Sequence, residues 1–301
     1  MAYSSKSDTW IAPCDLCGSL RHETFGLPGN RTASCCRDCG LVTILHSEQS
    51  VPREPASLYE LPIDPTLAAI RNLARDRSVL VIGAPSARLM DAAAEAGVAM
   101  TALLEPGSTP IPAIRTQEWS LDAASFPPDN FDLILCLRGL ESFPCPSLLF
   151  KRVHSWLRPG GIFMVSALNL RSLPARLSRR SWLQQYTSGA EHLFSLDTIK
   201  GYARRYGFGI RSVRTRSRTE DVASILSGNG RPSWITSVIA APIVLAGAVL
   251  GLGMLMMVEM TKEGLALRPL RRELEEEVEG SPGLAPALYT GVQREAMAEC
   301  G

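Results

Sequence analysis

Between residues 66 and 220 short apolar runs alternate with helical patterns of about ten residues, and no other feature restricts the fold of this chain as strongly. Ser78–Ile82 is an apolar run that stops at Gly83, as a buried parallel strand would. Ser86 is placed to cap a helix over Ala87–Ala96, which Gly97 ends. Val98–Leu104 and Phe131–Leu137 read as further strands, the latter entered from the turn-like Pro127-Pro128-Asp129-Asn130. A helix over Ser147–Leu157 should stop at Arg158-Pro159-Gly160-Gly161, with Ile162–Ala167 as the next strand. Ser195 opens a helix that runs to Tyr206, and Gly209–Thr215 follows as a strand. Strands and helices in this rhythm predict an α/β fold with a doubly wound parallel sheet, whose ligands bind at the carboxyl ends of the strands.

Upstream, Cys14-Asp-Leu-Cys17-Gly and Cys36-Arg-Asp-Cys39-Gly form two CxxCG knuckles separated by eighteen residues. Each knuckle turns two thiolates toward one point, and two knuckles complete a closed tetrahedral sulfur shell of the kind that holds structural zinc. Cys14, Cys17, Cys36 and Cys39 are the ligands this spacing selects; Cys35 breaks the CxxC pattern, and His22 and His46 read as loop residues. A module this small lacks a core, so the metal would supply its folding energy. Residues 10–47 are therefore read as a zinc-ribbon-like module, and residues 48–65, with Pro52, Pro55, Pro62 and Pro65, as a linker.

Phe126-Pro-Pro-Asp-Asn-Phe131-Asp132, Leu140-Glu141 before Pro144, Leu157-Arg158-Pro159-Gly160-Gly161, Glu191-His192-Leu-Phe-Ser195 and Tyr206-Gly207-Phe208 follow one another in order. In that series residues 12–216 resemble class I S-adenosylmethionine-dependent methyltransferases, and in particular the bacterial group with an N-terminal zinc-ribbon-like module. The resemblance implies a Rossmann-like sheet of seven strands, the last antiparallel, in a methyltransferase domain over residues 66–262. It also implies methyl transfer from the cofactor's sulfonium to an acceptor.

Position by position, the resemblance puts Gly83, Pro85 and Ala87 where the family has three loop glycines, so two are missing. Ala84 lies in the same loop, and Leu137 near the end of the Phe131 strand is assigned to the same cofactor site. Glu105 takes the place of the carboxylate that grips the ribose hydroxyls. The adenine-side acid falls on Ser120, with Glu118 and Asp122 as nearby substitutes. Val81 stands where an acidic residue helps hold the cofactor's ammonium group, a loss of about 1.5–3 kcal/mol, or roughly ten- to a hundredfold in affinity. The family's His-x-Leu-Glu-His reads Arg138-Gly-Leu140-Glu141-Ser142. Glu141 and His192 remain as candidate catalytic groups on the acceptor side, His192 being either a general base or a packing histidine. A rival reading is a catalytically weak or inactive binding or scaffold protein on the same fold. A nicotinamide oxidoreductase fits poorly, because Gly83-Ala-Pro-Ser-Ala lacks the glycines that let a pyrophosphate approach.

Thirty-one Lys and Arg against 30 Asp and Glu leave no overall field to draw nucleic acid. The charge is segregated, with eleven basic residues from Arg171 to Arg218 opposed only by Glu191 and Asp197. No aromatics interleave with them as a base-stacking platform requires, so the stretch reads either as a surface for phosphate groups, of a nucleotide-sugar, a lipid-linked acceptor or a membrane, or as a solvated basic face. The methyl acceptor is expected to be a small molecule, a sugar or lipid-linked. From Trp234 to Val258, twenty-five residues carry no charge. Arg231 and Lys262 bound this stretch, which either spans a bilayer or divides at Gly251 and Gly253. Because the sheet needs a closing strand, the expectation is a helix over about Ser233–Leu250, lying at a membrane surface, and a strand over Met254–Met260. Residues 263–301 read as a charged tail. The polar Met1–Asp8 and the clustered thiols point to a cytoplasmic, membrane-associated setting, with a single-pass membrane protein as the alternative.

Overall fold

The computed structural model describes residues 12–28, 31–45, 63–73, 76–104, 111, 114–118, 126–187, 189–228 and 234–263. Its centre is a seven-stranded sheet built from β4 (Ser78–Ile82), β5 (Ala99–Leu104), β6 (Arg115–Glu118), β7 (Phe131–Gly139), β8 (Leu157–Leu168), β10 (Phe208–Arg216) and β11 (Leu255–Lys262). Across the sheet the order is β10-β11-β8-β7-β4-β5-β6. Only β11 runs antiparallel, against β8 on one side and β10 on the other. The central strands are buried on both faces, and Val79–Ile82 and Leu133–Cys136 have no exposed surface, as apolar parallel strands covered by helices require. Those helices include α1 (Ile63–Arg71), α2 (Ala87–Ala96), α3 (Pro146–Trp156) and α6 (Leu196–Arg205).

The long uncharged stretch divides as expected. It forms α8 (Trp234–Val249) and then, after the glycines, β11. Gly253 lies so close to β10 that an added Cβ would stand 2.7 Å from the Arg216 nitrogen, so no other residue fits there. Among the described residues no helix is long and apolar enough to cross a membrane, which removes the single-pass alternative for this stretch. Lys262 does not border an apolar helix. It ends β11, where its ammonium donates to Asp129 Oδ1 at 2.6 Å and to the Leu157 carbonyl at 2.7 Å.

Three other boundaries depart from expectation. Leu157-Arg-Pro-Gly-Gly does not merely end a helix; it forms the start of β8, where Leu157 pairs with Phe131. The linker is shorter than drawn, because Ile63–Pro65 already belong to α1; the rest of it, and the tail beyond Glu263, lie outside the described residues. Ser86 has extended backbone at the start of α2, yet its side chain makes no capping hydrogen bond. Ser195 does cap α6, in a reciprocal box with Thr198.

The cysteine module is not a separate bead. Its strands β1 (His22–Leu27), β2 (Arg31–Cys36) and β3 (Val42–Leu45) form an antiparallel sheet that β9 (His192–Leu193), from the other domain, completes. Cys14, Leu16, Cys36 and Leu41 are buried in one cluster with Phe150, Phe194 and Tyr202. The lack of an independent core is thus met by packing on α3 and α6. A second layer, α4 (Leu173–Leu177), α5 (Arg179–Tyr186) and α7 (Thr219–Ser227), packs beside α8 around Trp182, Leu183, Val222 and Ile225.

Candidate functional site

The carboxyl ends of β4, β5, β7 and β8 lie side by side, and of the residues assigned to cofactor binding Gly83, Ala84, Pro85, Ala87 and Leu137 follow or end these strands. Gly83 follows β4 with φ 106°, a conformation open to glycine and few others. Its N–H donates to the Leu103 carbonyl at 2.9 Å, tying the loop to β5. Pro85 is buried and, as proline, has no N–H; Ala84 and Ala87 are exposed. Two backbone donors that a glycine loop presents to a ligand are therefore unavailable at Gly83 and Pro85. Val81, in the acid's position, is fully buried. Leu137 is half-buried near the end of β7, and Glu118 ends β6, paired in register with Leu104. Glu105, Ser120 and Asp122 lie outside the described residues.

Neither acceptor-side candidate offers a ready base. His192 is 4% exposed. Its Nε2 faces the Pro144 carbonyl at 2.9 Å and its Nδ1 faces the Thr43 hydroxyl at 3.1 Å. The carbonyl only accepts, so Nε2 carries the proton and Nδ1 accepts from Thr43. Both nitrogens are engaged, and the general-base reading gives way to the packing one: His192 fastens β3 to the loop before α3. Glu141, in a 3-10 turn (Leu140–Ser142) after β7, is 1% exposed. Its Oε1 accepts from the Leu168 N–H at the end of β8, while Oε2 has no partner among the described residues. Burial, partly offset by the Leu168 N–H, pushes the Glu141 carboxyl up to about 7. Its backbone carbonyl accepts from the Glu191 N–H at 2.7 Å, next to β9. Glu141 therefore positions the ends of β7, β8 and β9 from inside.

The most specific motif elements meet at the opposite end of the sheet. Asp132 accepts from Arg77 Nη1 at 2.7 Å, the Ser78 N–H at 2.9 Å and Arg158 Nη1 at 2.7 Å. Burial works against the Asp132 charge, but these donors outweigh it and hold the carboxyl below its usual range. The Phe-Asp and Leu-Arg-Pro-Gly-Gly elements are thus a structural clasp, remote from the cofactor loop.

The four cysteines converge as their spacing requires. All four sulfurs lie within 4.8 Å of one another, with Cys14 and Cys39 at 3.4 Å and Cys17 and Cys36 at 3.5 Å. Cys35 points elsewhere, its thiol donating to the Cys36 carbonyl. His22 sits in β1, held by Ser34 Oγ and the Ser19 carbonyl. Four thiols this close cannot share charge evenly. A hydrogen bond from Cys39 lowers Cys14 to about 5, burial raises Cys17 to about 11, and Cys39 is pushed higher still by Cys14. An all-sulfur shell of this size fits one tetrahedral soft cation with no open position.

Sequence reasoning overlooked what the knuckle's inner residues do. Asp15 accepts from Ser147 N at 2.9 Å, Ser147 Oγ at 2.6 Å and the Tyr202 hydroxyl at 2.5 Å. A carboxylate at the first turn of α3 is favoured by the helix dipole. The Leu16 carbonyl accepts from Arg205. An acid between two ligand cysteines was the available signal, but its partners lie far along the chain.

A family model described as a methyltransferase domain matches residues 56–213, just over half of the chain, and this protein belongs to that family. Among curated proteins it is similar to ubiquinone biosynthesis O-methyltransferases of Xanthomonas campestris pv. campestris, strains B100 and 8004. Each is 30% identical over 102 residues, which is 30% of this chain and 43% of the relative. The chain thus spans less than half the length of the curated relatives it matches. Similar solved structures include an S-adenosylmethionine-dependent methyltransferase from Mesorhizobium loti, with 20% identity, TM-score 0.44, 65% of this chain and 96% of that one. Another is the 1,6-didemethyltoxoflavin-N1-methyltransferase of Burkholderia thailandensis, with 14% identity, TM-score 0.44, 80% of this chain and all of that one.

Proposed function

We propose that this protein transfers a methyl group from S-adenosylmethionine to a small-molecule acceptor at the carboxyl ends of β4, β5, β7 and β8. The observation that carries the reading is a methyltransferase-family match coinciding with a seven-stranded sheet in which Gly83 turns the chain at the end of β4. Similarity to O-methyltransferases of ubiquinone biosynthesis supports an oxygen nucleophile on a small molecule. When bound, the cofactor supplies an already activated methyl group, so this chain's task is to align the two ligands and exclude water. Gly83 and Ala84 would meet one side of the cofactor, Glu105 would hold its ribose, and Leu137 would line its apolar flank. Glu141 is a positioning residue that fixes the acceptor-side strand ends. The cysteine cluster would hold zinc through the thiolates of Cys14, Cys17, Cys36 and Cys39, in a structural role.

One observation favours a second reading, a binding or scaffold protein of the same fold: the Gly83 N–H is taken up by Leu103, and Pro85 has none. Calorimetric titration with S-adenosylmethionine and S-adenosylhomocysteine separates the two. Methyl transfer requires both to bind, with Glu105→Ala weakening them roughly ten- to a hundredfold. No binding by the parent protein leaves only the scaffold reading.

A further inference from the structure

We propose that α8 is an interfacial docking element that seats the protein on an anionic lipid bilayer without crossing it. The helix has sixteen residues, none charged. Only Ala240 and Gly247 are buried, with Ile243 and Val244 half-buried in the cluster around α5 and α7. The outward face carries large apolar side chains in helical register: Trp234 is 77% exposed, Val238 65%, Leu245 66% and Val249 78%. Ile235, Ile239 and Leu250 widen the stripe. A contiguous uncharged apolar face is rare on a surface meant for water alone.

The surroundings select the occupant. At about 1.5 Å per residue the helix measures about 24 Å, short of the roughly 30 Å hydrocarbon core. The chain leaving its carboxyl end is tied to the sheet, because Gly253 N donates to Thr215 Oγ1 of β10 at 3.3 Å and Met254 N to Ser217 Oγ at 3.0 Å. The helix therefore lies along the protein. Arginines stand beside that end. Arg216 and Arg218 flank Ser217 and, with Thr219 and Glu220 at the start of α7, line an open cavity of about 440 Å³. The Leu173 N–H of α4 donates to the Leu252 carbonyl at 2.9 Å, and exposed Arg176 and Leu177 complete that helix. Apolar stripe and neighbouring guanidinium groups match acyl chains and anionic headgroups, the pattern of an in-plane membrane helix. Since Leu255 pairs with Leu168, this element sits at the end of the sheet that carries the Gly83 loop, and docking turns that end toward the bilayer. The inference does not depend on methyl transfer.

The test is co-sedimentation of the full chain with phosphatidylcholine vesicles, with and without phosphatidylglycerol. Binding is expected to the anionic vesicles and to fall roughly tenfold or more in Val238→Glu/Leu245→Glu, two exposed positions where folding is not at risk. Arg216→Ala/Arg218→Ala should weaken it roughly five- to tenfold or more. Lipid brominated near the headgroup should quench a fluorescence component that Trp234→Phe removes. The proposal fails if the parent ignores anionic vesicles or if the glutamate pair binds as tightly. It also fails if the parent is a dimer that binds no vesicles and the glutamate pair makes it monomeric, which would mark α8 as a contact between copies.

Discussion

Among the described residues each end of the central sheet contains one buried carboxylate, Asp132 or Glu141, and the two are held in opposite ways. Where the strands begin, Asp132 has two guanidinium groups and a backbone N–H, and its charge is welcome. Where they finish, Glu141 has one N–H for two oxygens, and its charge is resisted. The first end closes on itself: Arg77, Arg158 and Lys262 bind what lies beside them within the sheet. The second end is covered by a foreign layer, the cysteine module, whose strand β3 pairs with β9 and whose Asp15 caps α3. The paired charge thus lies at one end of this fold, and the unpaired carboxylate lies at the other, with the Gly83 loop and the four-cysteine cluster.

Removing the metal should break this asymmetry most severely. Structural zinc contributes on the order of 10 kcal/mol in small modules. Cys36→Ser, or exhaustive chelation, should release β1–β3 and β9 together, seen as loss of hydrogen-exchange protection there and at the start of α3. Protection in β10 and β11 should persist. Metal analysis of the parent showing no stoichiometric zinc or iron would dismiss the cluster as a metal site.

Next in size comes Glu141. Its pKa is raised in the folded protein, so the folded state binds more protons than the unfolded chain between the two values. Stability should be greatest below the ordinary glutamate range and decline as pH rises toward about 7, by roughly 3 kcal/mol. Denaturant titrations of the parent and Glu141→Gln at about pH 5 and about pH 8 measure this. The variant should lack the decline; parallel profiles would place the carboxylate in water.

Asp132 should do the reverse, by less. Its pKa is lowered, so its contribution is complete above the ordinary aspartate value and disappears as pH falls through the depressed one. Asp132→Asn should cost about 1.5–3 kcal/mol near neutrality, nearer the lower figure because Arg77 and Arg158 are half-exposed. The penalty should shrink in acid. A constant penalty at all pH values would assign it to packing.

Much of the sheet could be read in advance because its signals are local. Gly251 and Gly253 divide an uncharged run, and the helix and strand expected on either side appear within a few residues of their forecast ends. The convergence of the four cysteines was likewise legible, since two short knuckles carry their own geometry. His192 was not. Its partners, Thr43 and Pro144, lie 149 and 48 residues away, and nothing near His192 announces a two-residue strand completing another module's sheet. Glu141 was visible as a candidate but not in its role, because burial is a property of the assembled layers.

The smallest effect tests the end at which the cofactor is proposed to bind. Pro85 occupies a glycine's place in the cofactor loop, and two consequences of Pro85→Gly oppose each other. The unfolded chain gains freedom, which should lower stability by about 0.4–1 kcal/mol. The loop gains an N–H beside the one that Gly83 directs to Leu103, and a new hydrogen bond to the cofactor is worth about 0.5–1.5 kcal/mol, or roughly two- to tenfold in affinity. The variant should therefore melt slightly earlier and bind S-adenosylmethionine more tightly, both measurable on one preparation by scanning and titration calorimetry. Because Pro85 is buried, the gain needs the loop backbone to face the cofactor and not merely to lie near it. Lower stability with unchanged affinity would show that this loop no longer touches the ligand. The affinity of the parent protein would then have to come from Glu105 and the neighbouring strand ends.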